Sequence, residues 1–531
     1  MWKIAGIVCC MLIVAAPLGE SKKKAPEPPC IIYVPHDNRP ISEKQTAEVV
    51  RKLGYKVLIP PDNLLGGRDD LGHPDALWKW LYANAKTADA AVISSDSMLY
   101  GSLVGSRKHS YKVQEVGKRV DNFREFRKKF PKLPLYAFGS IMRTPRNGAA
   151  SGYGEPSYYL AYGEDIFRYT GLKDKQEVEG LTYREKKEQA FLEKLIPKAD
   201  MQDWMGRRNK NFESNKKLMD LVRKNTFNYF IIGRDDNAPY SQTHMEGRKL
   251  ADYGKDLDDS RYINMAGIDE VGMLLLARAV NEMQKTTPYV FVRYNWGRGP
   301  YTIPAYSDET LSASVDKAIT ASGGLQTLSP ENANLLLTVN SNPSGKTFEG
   351  AGWANDGNAR EGTVYFVDVV EGYLNKGYPV GIADVAFANG ADNALMEELR
   401  KRNLLFKLQT YSGWNTPTNS TGFAIGEGVL TYKMARKDID DLLLTRYLDD
   451  WAYQANVRNA MARQLSWLRG DGVYGSLNEK REAVMERTNR MLRRFLDTNF
   501  PNMESLKETE VTFPWNRMFE SDIKYGSQAS Q

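Results

Sequence analysis

Residues 30–54, "CIIYVPHDNRPISEKQTAEVVRKLG", hold one complete strand–turn–helix unit. Ile31, Ile32, Tyr33 and Val34 form a short β-branched and aromatic run that stops at Pro35. His36, Asp37, Asn38 and Arg39 follow in immediate succession, before Pro40 and a helical pattern from Ser42. A continuously apolar strand feeding an amphipathic helix is the pattern of a parallel sheet covered on both faces. The same unit recurs at "YKVLIP" (55), "DAAVISS" (89), "LPLYAFGS" (133), "NYFIIG" (228), "YINMAG" (262), "YVFVRY" (289), "NLLLTVN" (334), "PVGIADVAF" (379) and "LLFKLQTY" (404).

This rhythm predicts an α/β fold of parallel β/α units, barrel-like or doubly wound, in two domains with a helical C-terminal region. Boundaries fall at 30–285 for a first α/β domain with a helical insertion, 286–435 for a second, and 436–531 for the helical region. A length of 531 residues agrees with more than one core. Charges in the insertion, as in "RRNKNFESNKKLMDLVRK", read as a solvated helix face. Residues 324–362 are rich in Gly, Asn and Ser and long for a plain connection, which suggests a functional loop.

Residues 1–20 read as a signal peptide, with "MWK" ahead of a short apolar run, and 21–29 as a flexible leader. An uncleaved anchor would tether the same body outside the membrane, and no other membrane association is expected. Either way the expected location is extracytoplasmic, periplasmic or secreted. All three cysteines lie at positions 9, 10 and 30, so the mature chain has no disulfide framework and no thiolate metal cluster. The net charge of +6 is a small difference between 72 basic and 66 acidic residues, without a basic block, which argues against nucleic acid as a partner.

In parallel α/β folds ligands collect at the carboxyl ends of the strands. Those ends here carry Asp, Asn or Arg: Asp37, Asn38 and Arg39 after the first, then Asp96, Arg143, the "RDDN" run with Asp235, Asp236 and Asn237, and Asp269. Later ends supply Asn340, Asp384, and the "GWNTPTNSTG" segment with Trp414, Asn415 and Asn419. Any one of them alone is more often a helix cap or a turn residue. Their recurrence at one end of the sheet points to a site.

The four histidines lack zinc-motif spacing, and there is no G-x-S-x-G elbow, phosphate loop or dinucleotide fingerprint. Carboxylates therefore remain as the acid/base groups. Paired carboxylates with aromatic platforms are the equipment of glycosidic-bond hydrolysis. The sequence thus predicts an exported carbohydrate-active hydrolase acting on cell-wall or oligosaccharide substrates. Asp235 and Asp236 are its first catalytic candidates, followed by Asp37 and Asp96. Arg39, Asn38, Arg143, Asn237, Asp269, Asn340, Asp384, Trp414, Asn415 and Asn419 would hold a polar small-molecule or carbohydrate ligand, and Trp296 and Trp353 could also stack on sugar rings. No cofactor is required. Two alternatives stay open: a hydrolase whose Asp235, Asp236 and Asn237 hold a divalent cation such as Mg or Ca, and a non-catalytic sugar- or wall-binding protein.

The Pro-x-Asp-x-Arg-Pro element at residues 35–40, with "RDDN", "DVAFANGAD" and "GWNTPTNSTG", resembles the bacterial domain of unknown function 4127 family over most of the chain. The family pattern has Leu at the position of His36 and often an acid at that of Asn38. The resemblance therefore supports Asp37 and Arg39 over His36. It implies an exported bacterial setting and no established activity.

Overall fold

The computed structural model describes residues 27–146 and 154–526. The expected signal peptide and most of the leader lie outside the described residues. Six strands form the first sheet: β1 (Cys30–Val34), β2 (Lys56–Leu58), β3 (Ala90–Ser94), β4 (Leu135–Ile141), β5 (Tyr229–Arg234) and β6 (Tyr262–Ala266). Every residue of β1, β3, β4 and β5 is buried, as expected for strands covered on both faces. The order is β2-β1-β3-β4-β5-β6, all parallel.

The second sheet has five strands: β7 (Tyr289–Tyr294), β8 (Leu325–Gln326), β9 (Leu335–Asn340), β11 (Val380–Asp384) and β13 (Thr410–Ser412). A two-residue ladder, β10 (Phe348–Glu349) with β12 (Phe387–Ala388), lies beside it. The order β8-β7-β9-β11-β13 repeats the winding of the first five strands of the first sheet. Both sheets are open, so the units wind doubly and close no barrel. The strand expected from Leu404 begins only at Thr410, because Leu404, Leu405 and Leu408 turn inward to fill the core.

One continuous core joins the sheets. It includes Ile31, Val92 and Ile231 from the first and Leu335 and Val339 from the second. Between them the helices Val271–Met283 and Pro417–Thr431 pack together, the latter buried at every residue. Gly426 permits that approach, since a Cβ there would lie 2.9 Å from Met273 Cγ. Overpacking of this kind costs about 1–3 kcal/mol.

The insertion forms helices Tyr159–Val178, Tyr183–Leu195 and Lys198–Arg223 around a small core of its own that includes Trp204. Its charges are not all solvated. Arg208 is fully buried, pairs with Glu246 at 2.8 Å, and donates to the carbonyls of Met142 and Arg143. That anchor fixes the chain just beyond β4. The C-terminal region is helical through Arg481–Asn499 and then adds the hairpin β14 (Glu510–Thr512) with β15 (Asp522–Lys524). The loop between the two hairpin strands reaches back to the first sheet through Trp515. Among the described residues no helix is long and apolar enough to cross a membrane.

Candidate functional site

A doubly wound sheet opens a crevice where neighbouring strands wind in opposite directions. In the first sheet that point lies between β1 and β3. The register Val34 to Ile93 sets the polar cluster after β1 level with Ser95 and Asp96. Ile141 likewise pairs with Arg234, and Arg234 with Ala266, so the segments beyond β4, β5 and β6 emerge side by side. They line a cavity of about 150 Å³.

Arg39 ties this end of the sheet together. Its Nε donates to Asp37 at 2.9 Å, and its Nη1 and Nη2 donate to the two oxygens of Asp269 at 3.1 and 2.6 Å. Asn415 also donates to Asp269, from the loop after β13 of the other sheet. Burial alone would raise the Asp37 carboxyl, but Arg39 brings it below its usual range. Against the same burial penalty, Arg39 and His36 hold Asp269 well below that range. His36 lies behind them, fully buried, with Nε2 3.1 Å from Asp269. Burial disfavours its charge, yet the carboxylates of Asp37 and Asp269 raise its affinity for a proton overall.

The opposite wall carries the "RDDN" pair. Successive residues of an extended strand point to opposite faces, so Asp235 and Asp236 would be expected to diverge. Asp236 instead takes a φ of 24°, and both residues line the cavity. Arg107 pairs with Asp235, and Arg143 lies 3.2 Å from Asp236 and 2.7 Å from the buried Glu155. Burial pushes the Asp235 carboxyl up, Arg107 opposes that, and neighbouring Asp236 reinforces it. Asp235 thus holds a proton more tightly than an ordinary aspartate does, while Asp37 and Asp269 hold theirs less tightly.

Backbone geometry singles out the same place. Of the nine non-glycine residues with positive φ among the described residues, Asp236, Tyr306, Asn389 and Asn415 line this cavity. For a side chain as bulky as Tyr306, at 63°, the conformation is a real outlier. Strain of this kind persists where surrounding contacts enforce it and clusters at functional sites. Here Tyr306 donates to Glu349, which also accepts from Asn389.

Of the residues singled out in the sequence, Asp37, Arg39, Arg143, Asp235, Asp236, Asp269 and Asn415 line this one cavity. The other candidates do not line it. Asp96 is buried beneath it, one carboxyl oxygen without a partner, and burial pushes it up to about 7. Asn38 accepts from the Trp515 indole at 2.8 Å and serves as a fastener. Asn237 is buried just behind the wall, both its side-chain polar atoms without partners. Asn419 stands behind Asp269, 3.5 Å away.

Asn340 and Asp384 sit at the end of the second sheet, in a separate cluster with Asp392 and Tyr411. Trp414 is a core residue, only 5% exposed and packed on Phe519, because the turn after β13 directs it inward. Trp296 and Trp353 are exposed at 51% and 94% but lie outside this cavity.

The sequence reading missed Arg68, Arg107, Tyr306, Asn389, Tyr474, Trp515, Arg517 and Phe519. The tail segment "FPWNRMF" (513–519) stands out by its aromatic density among charged helices, and that signal could have found three of them. Trp515 lines the cavity, its ring centroid 5.3 Å from the Arg39 guanidinium and 5.2 Å from that of Arg517. The cation reading fits poorly. Asp235 and Asp236 each face an arginine, and among the described residues no group of three or more His, Cys, Asp or Glu is arranged to hold a metal ion.

A family model described as "Protein of unknown function (DUF4127)" matches residues 31–524. None of the curated proteins compared with the chain matches it. Among solved structures the chain is similar, at 10% identity and a TM-score of 0.18, to Phytolacca americana UGT2 complexed with UDP-2fluoro-glucose and pterostilbene. That match covers 83% of this chain and 99% of the other, a likeness too slight to bear on fold or ligand.

Proposed function

We propose that this chain, which belongs to the DUF4127 family of unknown function, is a carbohydrate-active hydrolase that works outside the cytoplasm. One observation carries the reading: Asp235 and Asp236 both line a single cavity, where burial raises the Asp235 carboxyl above its usual range. Glycosidic-bond hydrolysis needs two such carboxyls in different states. Protonated Asp235 gives its proton to the glycosidic oxygen as the bond to the anomeric carbon breaks. Asp236 serves as base for the attacking water or as the nucleophile. Arg143 holds Asp236, and Asn415 and Arg68, which also line the cavity, would contact the ligand. Asp37 and Asp269 are framework groups, held by Arg39.

The size of the cavity supports a small occupant. About 150 Å³ is below the ~300–1,000 Å³ usual for drug-sized ligands, and suits one sugar unit or the end of a chain. Export rests on the reading of residues 1–20 as a signal.

A panel of glycosides and cell-wall fragments tests the proposal by release of new reducing ends. Asp235→Asn should lower that release by about 10²–10⁴-fold, the usual worth of a positioned acid. A second reading, a non-catalytic binder, is favoured by one feature: the cavity lies between elements of both sheets, as in a clamp, with Asn415 of one holding Asp269 of the other. Tight retention of an unmodified sugar, with no product from any substrate, would select it.

A further inference from the structure

We propose that the carboxyl end of the second sheet holds a separate site for a phosphoryl group. A second cavity of about 150 Å³ opens there and shares no lining residue with the first. It lies at the ends of β7 and β9, where the winding of this sheet reverses, and that is where open α/β sheets bind ligands. Asn295 and Ser341 wall it from the strand ends, and Arg360, Gly362 and Thr363 from the start of the helix Glu361–Asn375.

Three features suit an oxyanion. The helix has fifteen residues, and its N-cap Arg360 puts no side-chain cap on the first amides, although Glu361 sets one carboxylate in the same turn. Arg360 itself brings a cation to that end. Ser341 is 1% exposed, lines the cavity, and its hydroxyl has no partner, an omission that is costly unless a ligand supplies the acceptor.

Asp392 also lines the cavity but is compensated. One oxygen pairs with Arg360 and accepts from the amides of Ala394 and Leu395, and the other accepts from Asn340. A phosphoryl group, with several acceptor oxygens, can meet the Ser341 hydroxyl, the helix amides and the Arg360 guanidinium together.

The test is calorimetric titration of the full chain with inorganic phosphate and with glycerol 3-phosphate. Trp296 adds a local probe, because its indole nitrogen lies 2.9 Å from where a Cβ on Gly362 would stand. Saturable binding is expected, with a fluorescence change that Trp296→Phe removes. Ser341→Ala should weaken binding about fivefold and Arg360→Gln about tenfold or more. Equal binding of the two probes assigns the site to free phosphate, and preference for the ester to a phosphorylated molecule. No saturable binding of either, or equal affinity in the wild type and both variants, overturns the proposal.

Discussion

The two sheets wind in the same order, yet their carboxyl ends meet polar side chains in opposite ways. At the first, each carboxyl faces an arginine: Asp37 and Asp269 face Arg39, Asp235 faces Arg107, and Asp236 faces Arg143. At the second, Asp384 meets neutral donors, namely Asn340, the Tyr411 hydroxyl and the Asp392 amide. Burial, with Asp392 nearby, pushes Asp384 up to about 7. Topology explains why polar residues gather at both ends. The partners they meet decide whether a given carboxyl sits against a cation, as Asp235 does, or among neutral donors, as Asp384 does.

Removing a partner should break this contrast most strongly at the first end. Arg39→Met would leave Asp37 and Asp269 buried without their cation, and should cost about 3–5 kcal/mol in chemical denaturation. A loss below about 1 kcal/mol, the size of an exposed pair, would mean that solvent already reaches the knot.

The second end should respond to pH instead. Asp384 holds its proton more tightly in the folded than in the unfolded chain. Stability therefore falls as pH rises from the ordinary carboxylate range through about 7. Asp384→Asn removes that contribution and should flatten the pH 4–8 stability curve by on the order of 2–4 kcal/mol. An unchanged curve would show that Asp384 is ionised in the fold.

A smaller effect sharpens the contrast at the tail. Trp515→Phe keeps the ring over Arg39 but deletes the bond to Asn38, so it should cost about 1 kcal/mol in unfolding. A change within experimental error would mean that the tail lines the cavity without being fastened there.

Strand ends were readable because hydrophobic runs and the residues that stop them are local features. Asp37, Asp235 and Asp269 were found in that way. Depth and direction were not readable. Asp96 and Trp414 follow strands like the true cavity residues, yet one lies beneath the cavity and the other in the core. Nothing near Arg107 announces a partner 128 positions away, and Trp515 meets Asn38 across 477. The left-handed turn at Asp236, which brings two neighbouring carboxyls into one cavity, depends on contacts that only the assembled fold supplies.

The central claim is that Asp235 is the acid of the open end and that Asp384 has no part in the reaction. The direct measurement is kcat/KM against pH for the wild type, Asp235→Asn and Asp384→Asn on a glycoside that the wild type cleaves. Because Asp235 acts in its protonated form, wild-type activity should fall as pH rises through its raised pKa. Asp235→Asn should lose about 10²–10⁴ in rate together with that alkaline limb, while Asp384→Asn keeps the wild-type rate and profile. Wild-type activity and an intact alkaline limb in Asp235→Asn would contradict the account.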